Sequence, residues 1–152
     1  LSITLLIQDA KWRESRGLGA RLKRAATEAL AQGGGATGAA LTIMLTSDRH
    51  LRALNFAFRG KDAATNVLSF PSARGAKFYL GDVAIAYGVT AKEAKSAGKS
   101  LIDHATHLAV HGVLHLLSFD HVTARQVKIM EALETSILKA LKVADPYRQE
   151  VA

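Results

Sequence analysis

Five of the six histidines fall between His104 and His121, and three of them, His111, His115 and His121, are spaced to close on one metal ion. The run is His111-Gly112-Val113-Leu114-His115-Leu116-Leu117-Ser118-Phe119-Asp120-His121. On a helix, residues four apart leave the same face one turn apart, so the imidazoles of His111 and His115 can meet. Their nitrogens can then bind one ion at about 2.0–2.1 Å each. Five residues separate His115 from His121, enough for the helix to end and the chain to turn back with a third ligand. Three neutral nitrogens without a thiolate suit Zn2+ with a fourth position open to water. Zinc in such a site brings the water pKa to about 7, which is hydrolytic chemistry.

A rival set, His107, His111 and His115, also has four-residue spacing. Its outer members would stand about 12 Å apart along a helix axis, at about 1.5 Å per residue, too far for one small ion. His107 is therefore expected to support the ligands from behind or to pack, His104 to lie at the surface or inside its helix, and His50 to be structural. The chosen spacing is also that of metzincin peptidases, His-Glu-x-x-His-x-x-Gly-x-x-His. Here Gly112 stands at the glutamate position and Ser118 at the glycine position. That glutamate is the peptidase's general base, so its absence argues against peptide hydrolysis.

Elements must hold these side chains. The opening segment through Gln8, rich in Ile, Leu and Thr, predicts a strand. Leu18, Leu22, Ala25, Ala26, Ala29 and Leu30 have helical spacing over residues 18–31, stopped by Gly33-Gly34-Gly35. No lysine and hydroxyl pair follows those glycines, which excludes a Walker phosphate loop. Residues 41–46 predict a second strand, and Ser47 caps a helix with Leu51, Leu54 and Phe58 on one face. A loop over 59–66 leads to a short strand over 67–71, ended by Pro71, and 79–87 predicts a further strand. Thr90 and Glu93 read as a capping box for a short helix to about Gly98. Ser100 and Asp103 open the helix of the histidines, which should run to about Leu117. Thr123 and Gln126 cap a last helix to about Leu141, ended by Asp145-Pro146. The expectation is an α/β fold: one domain over residues 1–152, with a roughly four-stranded mixed sheet, about five helices, and the metal site on a helix of the C-terminal half and the loop after it.

Composition bounds the function. The 152 residues are 49% hydrophobic and 22% charged, which is ordinary for a globular domain. The apolar start lacks a basic leader and soon meets Gln8 and Asp9, unlike a secretory signal. Cysteine is absent, so disulfides and thiolate ligands are excluded, and a cytoplasmic setting is expected. Twenty Lys and Arg against thirteen Asp and Glu leave a formal charge of +7, which favours a polyanion such as nucleic acid or simply makes a basic surface.

At His111, Gly112, Leu114, His115, Leu116, Asp120 and His121 the chain resembles the YbeY-type bacterial ribosomal RNA maturation factors, which are zinc-dependent endoribonucleases. Leu54-Asn55, Phe58-Arg59 and Asp62, leading to Thr65-Asn66-Val67-Leu68-Ser69-Phe70-Pro71, resemble a second family stretch. Leu80-Gly81-Asp82-Val83 resembles a third, and Met130-Glu131-Ala132-Leu133-Glu134 and Asp145-Pro146-Tyr147 also look familial. Ser118 replaces a usual glycine, Asn66 a usual aspartate, and Val122-Thr123 the usual acidic residues after the last histidine.

The resemblance implies one zinc on His111, His115 and His121, with His111 and Arg59 in the catalytic machinery and Arg59 contacting RNA. An arginine there makes physical sense as an always-charged fork for a phosphodiester; a helix C-terminal cap is its ordinary alternative. Asp120 could orient a ligand histidine or merely shape the turn, and Asp82 reads as a strand-end residue. The implied activity is single-strand-specific, metal-dependent endoribonuclease action in ribosomal RNA maturation and ribosome quality control. The implied partners are ribosomal RNA and components of the small ribosomal subunit. Two other classes remain: a metallopeptidase, and a non-catalytic ribosome-assembly factor with a structural zinc.

Overall fold

Alternation along 41–45 puts Leu41, Ile43 and Leu45 on one face of a central strand, where all three are buried. The computed structural model describes residues 2–73 and 78–147; Leu1, at the head of the expected first strand, lies outside them. Strand β1 (Ser2–Ile7) is followed by a short 3-10 turn (Ala10–Glu14), helix α1 (Leu18–Gln32), strand β2 (Ala40–Thr46) and helix α2 (Asp48–Arg59). Strands β3 (Val67–Pro71) and β4 (Tyr79–Ala86) come next, then helices α3 (Tyr87–Ser96), α4 (Leu101–Leu116) and α5 (Ala124–Ala140). The strands form one sheet in the order β1-β2-β4-β3. β1, β2 and β4 run parallel and β3 pairs antiparallel to β4. The expected mixed four-stranded sheet with five α-helices is what forms.

Helices pack on both faces. Val83 and Ile85 of β4 join the main core with Leu22, Ala26 and Ala29 of α1, Leu108 and Val113 of α4, and Ile137 of α5. Their neighbours Ala84 and Ala86 face the other way, against Leu51 of α2. The helix α4 therefore lies against the sheet, walled by α1, α3 and α5. Gly112 permits the contact: a Cβ there would stand 2.5 Å from Val83 Cγ1, and Ser69 Oγ donates to the Gly112 carbonyl at 2.8 Å.

Two expectations about helix ends need correction. Helix α3 starts at Tyr87, three residues before the expected capping box, because β4 runs straight into it. Its first turn is capped from outside, with Asp48 Oδ1 accepting from Val89 N–H at 3.0 Å. Thr90 is buried inside the helix and donates to the Ala86 carbonyl, and Glu93 turns to His104 and Asn66. Helix α5 ends at Ala140, close to the expected Leu141, but Asp145-Pro146 is not what ends it. Lys142 takes φ 60°, and Val143 N–H returns to the Leu138 carbonyl, so a left-handed turn ends the helix before proline is needed. In α2, Leu51 is buried as expected, but Phe58 at the end of its stripe is 70% exposed, its ring edge-on to that of Phe70. The other caps are as expected: Ser47 accepts from His50 N–H, Ser100 from Asp103 N–H, and Thr123 and Gln126 form a reciprocal box.

Candidate metal centre

The four-residue spacing places His111 and His115 on one face of α4, with ring centroids 4.6 Å apart. The chain then reverses. Ser118 N–H donates to the His115 carbonyl and Phe119 N–H to the Leu114 carbonyl, both at 3.0 Å. That paired pattern is a Schellman turn, and Ser118 stands at its left-handed position with φ 74°. Phe119 packs back into the core containing Leu114, and the turn delivers His121 beside the other two rings, 5.5 Å from His111 and 4.9 Å from His115.

One ring nitrogen from each of the three histidines lies within 4.8 Å of the others, a group able to hold a metal ion. The Nε2 atoms of His111 and His115 are 3.1 Å apart. Two ligands on a tetrahedral ion at about 2.0–2.1 Å would stand about 3.3 Å from each other, so the spacing suits such an ion. The donor set passes a second test at His111, whose Nδ1 is 2.5 Å from Glu134 Oε1. An ionised carboxylate only accepts, so Nδ1 carries the proton and Nε2 keeps its lone pair for a cation. Burial, and next the charges of His111 and His121, push the His115 pKa down, which favours the neutral form that binds metal.

Glu134, which belongs to a familial-looking stretch but is given no role by the sequence, stands behind His111. It is fully buried on α5. Burial pushes its carboxyl up, but hydrogen bonds from His107, His111 and Tyr147 outweigh that and hold its pKa at about 2. The signal was a glutamate within the apolar stripe of Met130, Ile137 and Leu138.

Other candidates fall as follows. His107 is not brought into the triad; its Nε2 lies 3.5 Å from Glu134 Oε2. His104, largely buried, contacts Glu93 Oε1 at 2.9 Å, and His50 is exposed. Asp120 Oδ1 accepts from His121 N–H at 2.7 Å but stays 4.0 Å from the His121 ring, so it shapes the turn. Asp82, on β4, accepts from the Tyr79 hydroxyl. Asn66 donates to Glu93 Oε1 at 3.0 Å and accepts from Val67 N–H at 2.7 Å; an ionised aspartate could not make the first bond. Arg59 is the last residue of α2, exposed, with no ion pair or hydrogen bond from its guanidinium among the described residues. The position of the peptidase glutamate is Gly112, pressed on Val83 with no room for a side chain.

Fold and donor set together define a small α/β domain built around a three-histidine site of the kind that holds one metal ion. The family model Endoribonuclease YbeY matches residues 7–142, and the chain belongs to that family. It is 42% identical over 151 residues to an Endoribonuclease YbeY of Chelativorans sp. (strain BNC1), covering 96% of this chain and 93% of that protein. A Maricaulis maris protein of the same name is 39% identical over 149 residues, covering 98% and 93%. A solution structure of a Thermotoga maritima protein superposes with a TM-score of 0.60 at 20% identity, covering 97% of this chain and 99% of that one, a likeness of fold. No helix among the described residues is long and apolar enough to cross a membrane.

Proposed function

We propose that this chain is a zinc-dependent endoribonuclease specific for single-stranded RNA, acting in ribosomal RNA maturation and ribosome quality control in the cytoplasm. Residues 1–152 form its one catalytic domain, and its partners are ribosomal RNA and small-subunit components. The observation that carries this reading is the convergence of His111, His115 and His121 in a chain of the endoribonuclease YbeY family.

His111, His115 and His121 would hold the zinc, which when bound supplies a Lewis acid and a water of lowered pKa. The chain's own residues do the rest. Glu134 keeps the His111 proton on Nδ1. Arg59, with no partner for its guanidinium among the described residues, binds the scissile phosphate through a bidentate fork. The +7 charge gathers the polyanion.

The test is metal analysis combined with cleavage of single-stranded RNA, duplex RNA and peptide. Zinc-loaded protein should cut single-stranded RNA, and His115→Ala should abolish both zinc binding and cutting. RNA cleavage that survives chelation and His115→Ala would overturn the reading, and peptide hydrolysis in its place would restore the peptidase.

A further inference from the structure

The Asp145-Pro146-Tyr147 segment follows α5 and brings the Tyr147 hydroxyl onto Glu134 Oε2. We propose that it is a strap holding Glu134 in place, and that Glu134 is a positioning residue that locks His111 in the tautomer with Nε2 bare for metal. The inference rests on the reading that the triad holds an ion.

Both oxygens of Glu134 are engaged. Oε1 accepts from His111 Nδ1–H at 2.5 Å, and Oε2 accepts from the Tyr147 hydroxyl with His107 Nε2 at 3.5 Å. A carboxylate buried among Met130, Ile137 and Leu138 is costly to desolvate, and an apolar side chain would pack there without that cost. What offsets that cost is its bond to His111, twenty-three residues away. A ring free of such a partner exchanges its proton between the two nitrogens, and in one of those forms Nε2 is blocked.

The strap is itself tied down. Asp145 Oδ1 accepts from Tyr147 N–H at 2.8 Å and from Thr135 Oγ1 at 3.3 Å. Thr135 follows Glu134 on α5, so the segment is stapled to the turn of helix it serves. The Tyr147 ring stands edge-on to His107, centroids 5.8 Å apart, which aims the hydroxyl at Oε2. Tyr147 as a whole is 41% exposed, and Phe keeps its ring while deleting only the hydroxyl bond to Glu134.

The experiment compares the full chain with Glu134→Gln and Tyr147→Phe. It measures zinc affinity by chelator competition, the His111 tautomer in the zinc-free protein by nitrogen NMR, and the melting temperature. The wild type should hold His111 as the Nδ1–H form. Glu134→Gln, whose amide offers either an oxygen or an N–H to the ring, should mix the tautomers and lose roughly 10–100-fold in zinc affinity. Tyr147→Phe should shift both in the same direction by a smaller factor. A lower melting temperature with unchanged tautomer and affinity in both variants would overturn the proposal, because a purely structural glutamate would do that. If Glu134→Gln fails to fold, Tyr147→Phe decides alone, and unchanged values there overturn the strap. Failure of the metal reading looks different: the wild type itself would not take up zinc.

Discussion

His111 Nε2 faces His115 Nε2 at 3.1 Å across one turn of α4. Two lone pairs that close repel unless a proton or a cation lies between them. Purified protein should therefore carry close to one zinc per chain, and His115→Ala should lose most of it by elemental analysis. His107→Ala should retain most, since His107 meets Glu134 and Tyr147 rather than serving as a ligand. An empty site in His107→Ala with a full one in His121→Ala would show that the ligand set is different.

Gly112 seats α4 on the sheet, so Gly112→Ala should destabilise although alanine favours helix. The new methyl would lie 2.5 Å from Cγ1 of Val83, a stiff β-branched neighbour in a full core. The expected cost is about 1–3 kcal/mol, read from denaturant unfolding. An unchanged midpoint would mean that α4 does not need this close approach.

Ser118 holds φ 74° at an exposed turn, where a side chain costs about 1–2 kcal/mol. Replacing it by glycine removes that strain and adds unfolded-state entropy of about 0.4–1 kcal/mol. Ser118→Gly should stabilise by about 1 kcal/mol with little change in zinc affinity. A lower melting temperature for the variant would refute the strained-turn account.

Glu134 should make stability fall in acid. Its folded pKa, about 2, lies below the ordinary 4.5, so its contribution is complete above the unfolded value and vanishes as pH drops through the folded one. The gap in melting temperature between the wild type and Glu134→Gln should therefore narrow between pH 4.5 and 2. A gap that stays constant over that window would show that the charge is not what stabilises.

Arg59→Lys keeps the charge but loses the planar fork. It should damage RNA cleavage more than RNA binding, while Arg59→Ala should also lower the salt dependence of binding by about 0.7 in log–log slope for one lost phosphate. Cleavage rates equal to wild type in both variants would remove Arg59 from the site.

Local physics was legible in the residues. The spacing of His111, His115 and His121 needs only helical periodicity and room for one reversal, and the caps at Ser47, Ser100 and Thr123 are bonds between residues three apart. Departure of Ser118 from glycine marked the turn, because the reversal within five residues demands a left-handed position whoever occupies it. What required the tertiary structure was every contact between distant segments. Thr90 and Glu93 form a plausible box on paper, yet α3 is capped by Asp48, forty-one residues earlier, and Glu93 is claimed by His104 and Asn66. Only packing of α5 against α4 sets Glu134 behind His111, and only the approach of α4 to β4 explains why residue 112 is glycine. Periodicity tells which face of a helix is buried; it does not tell which residue waits on the other side.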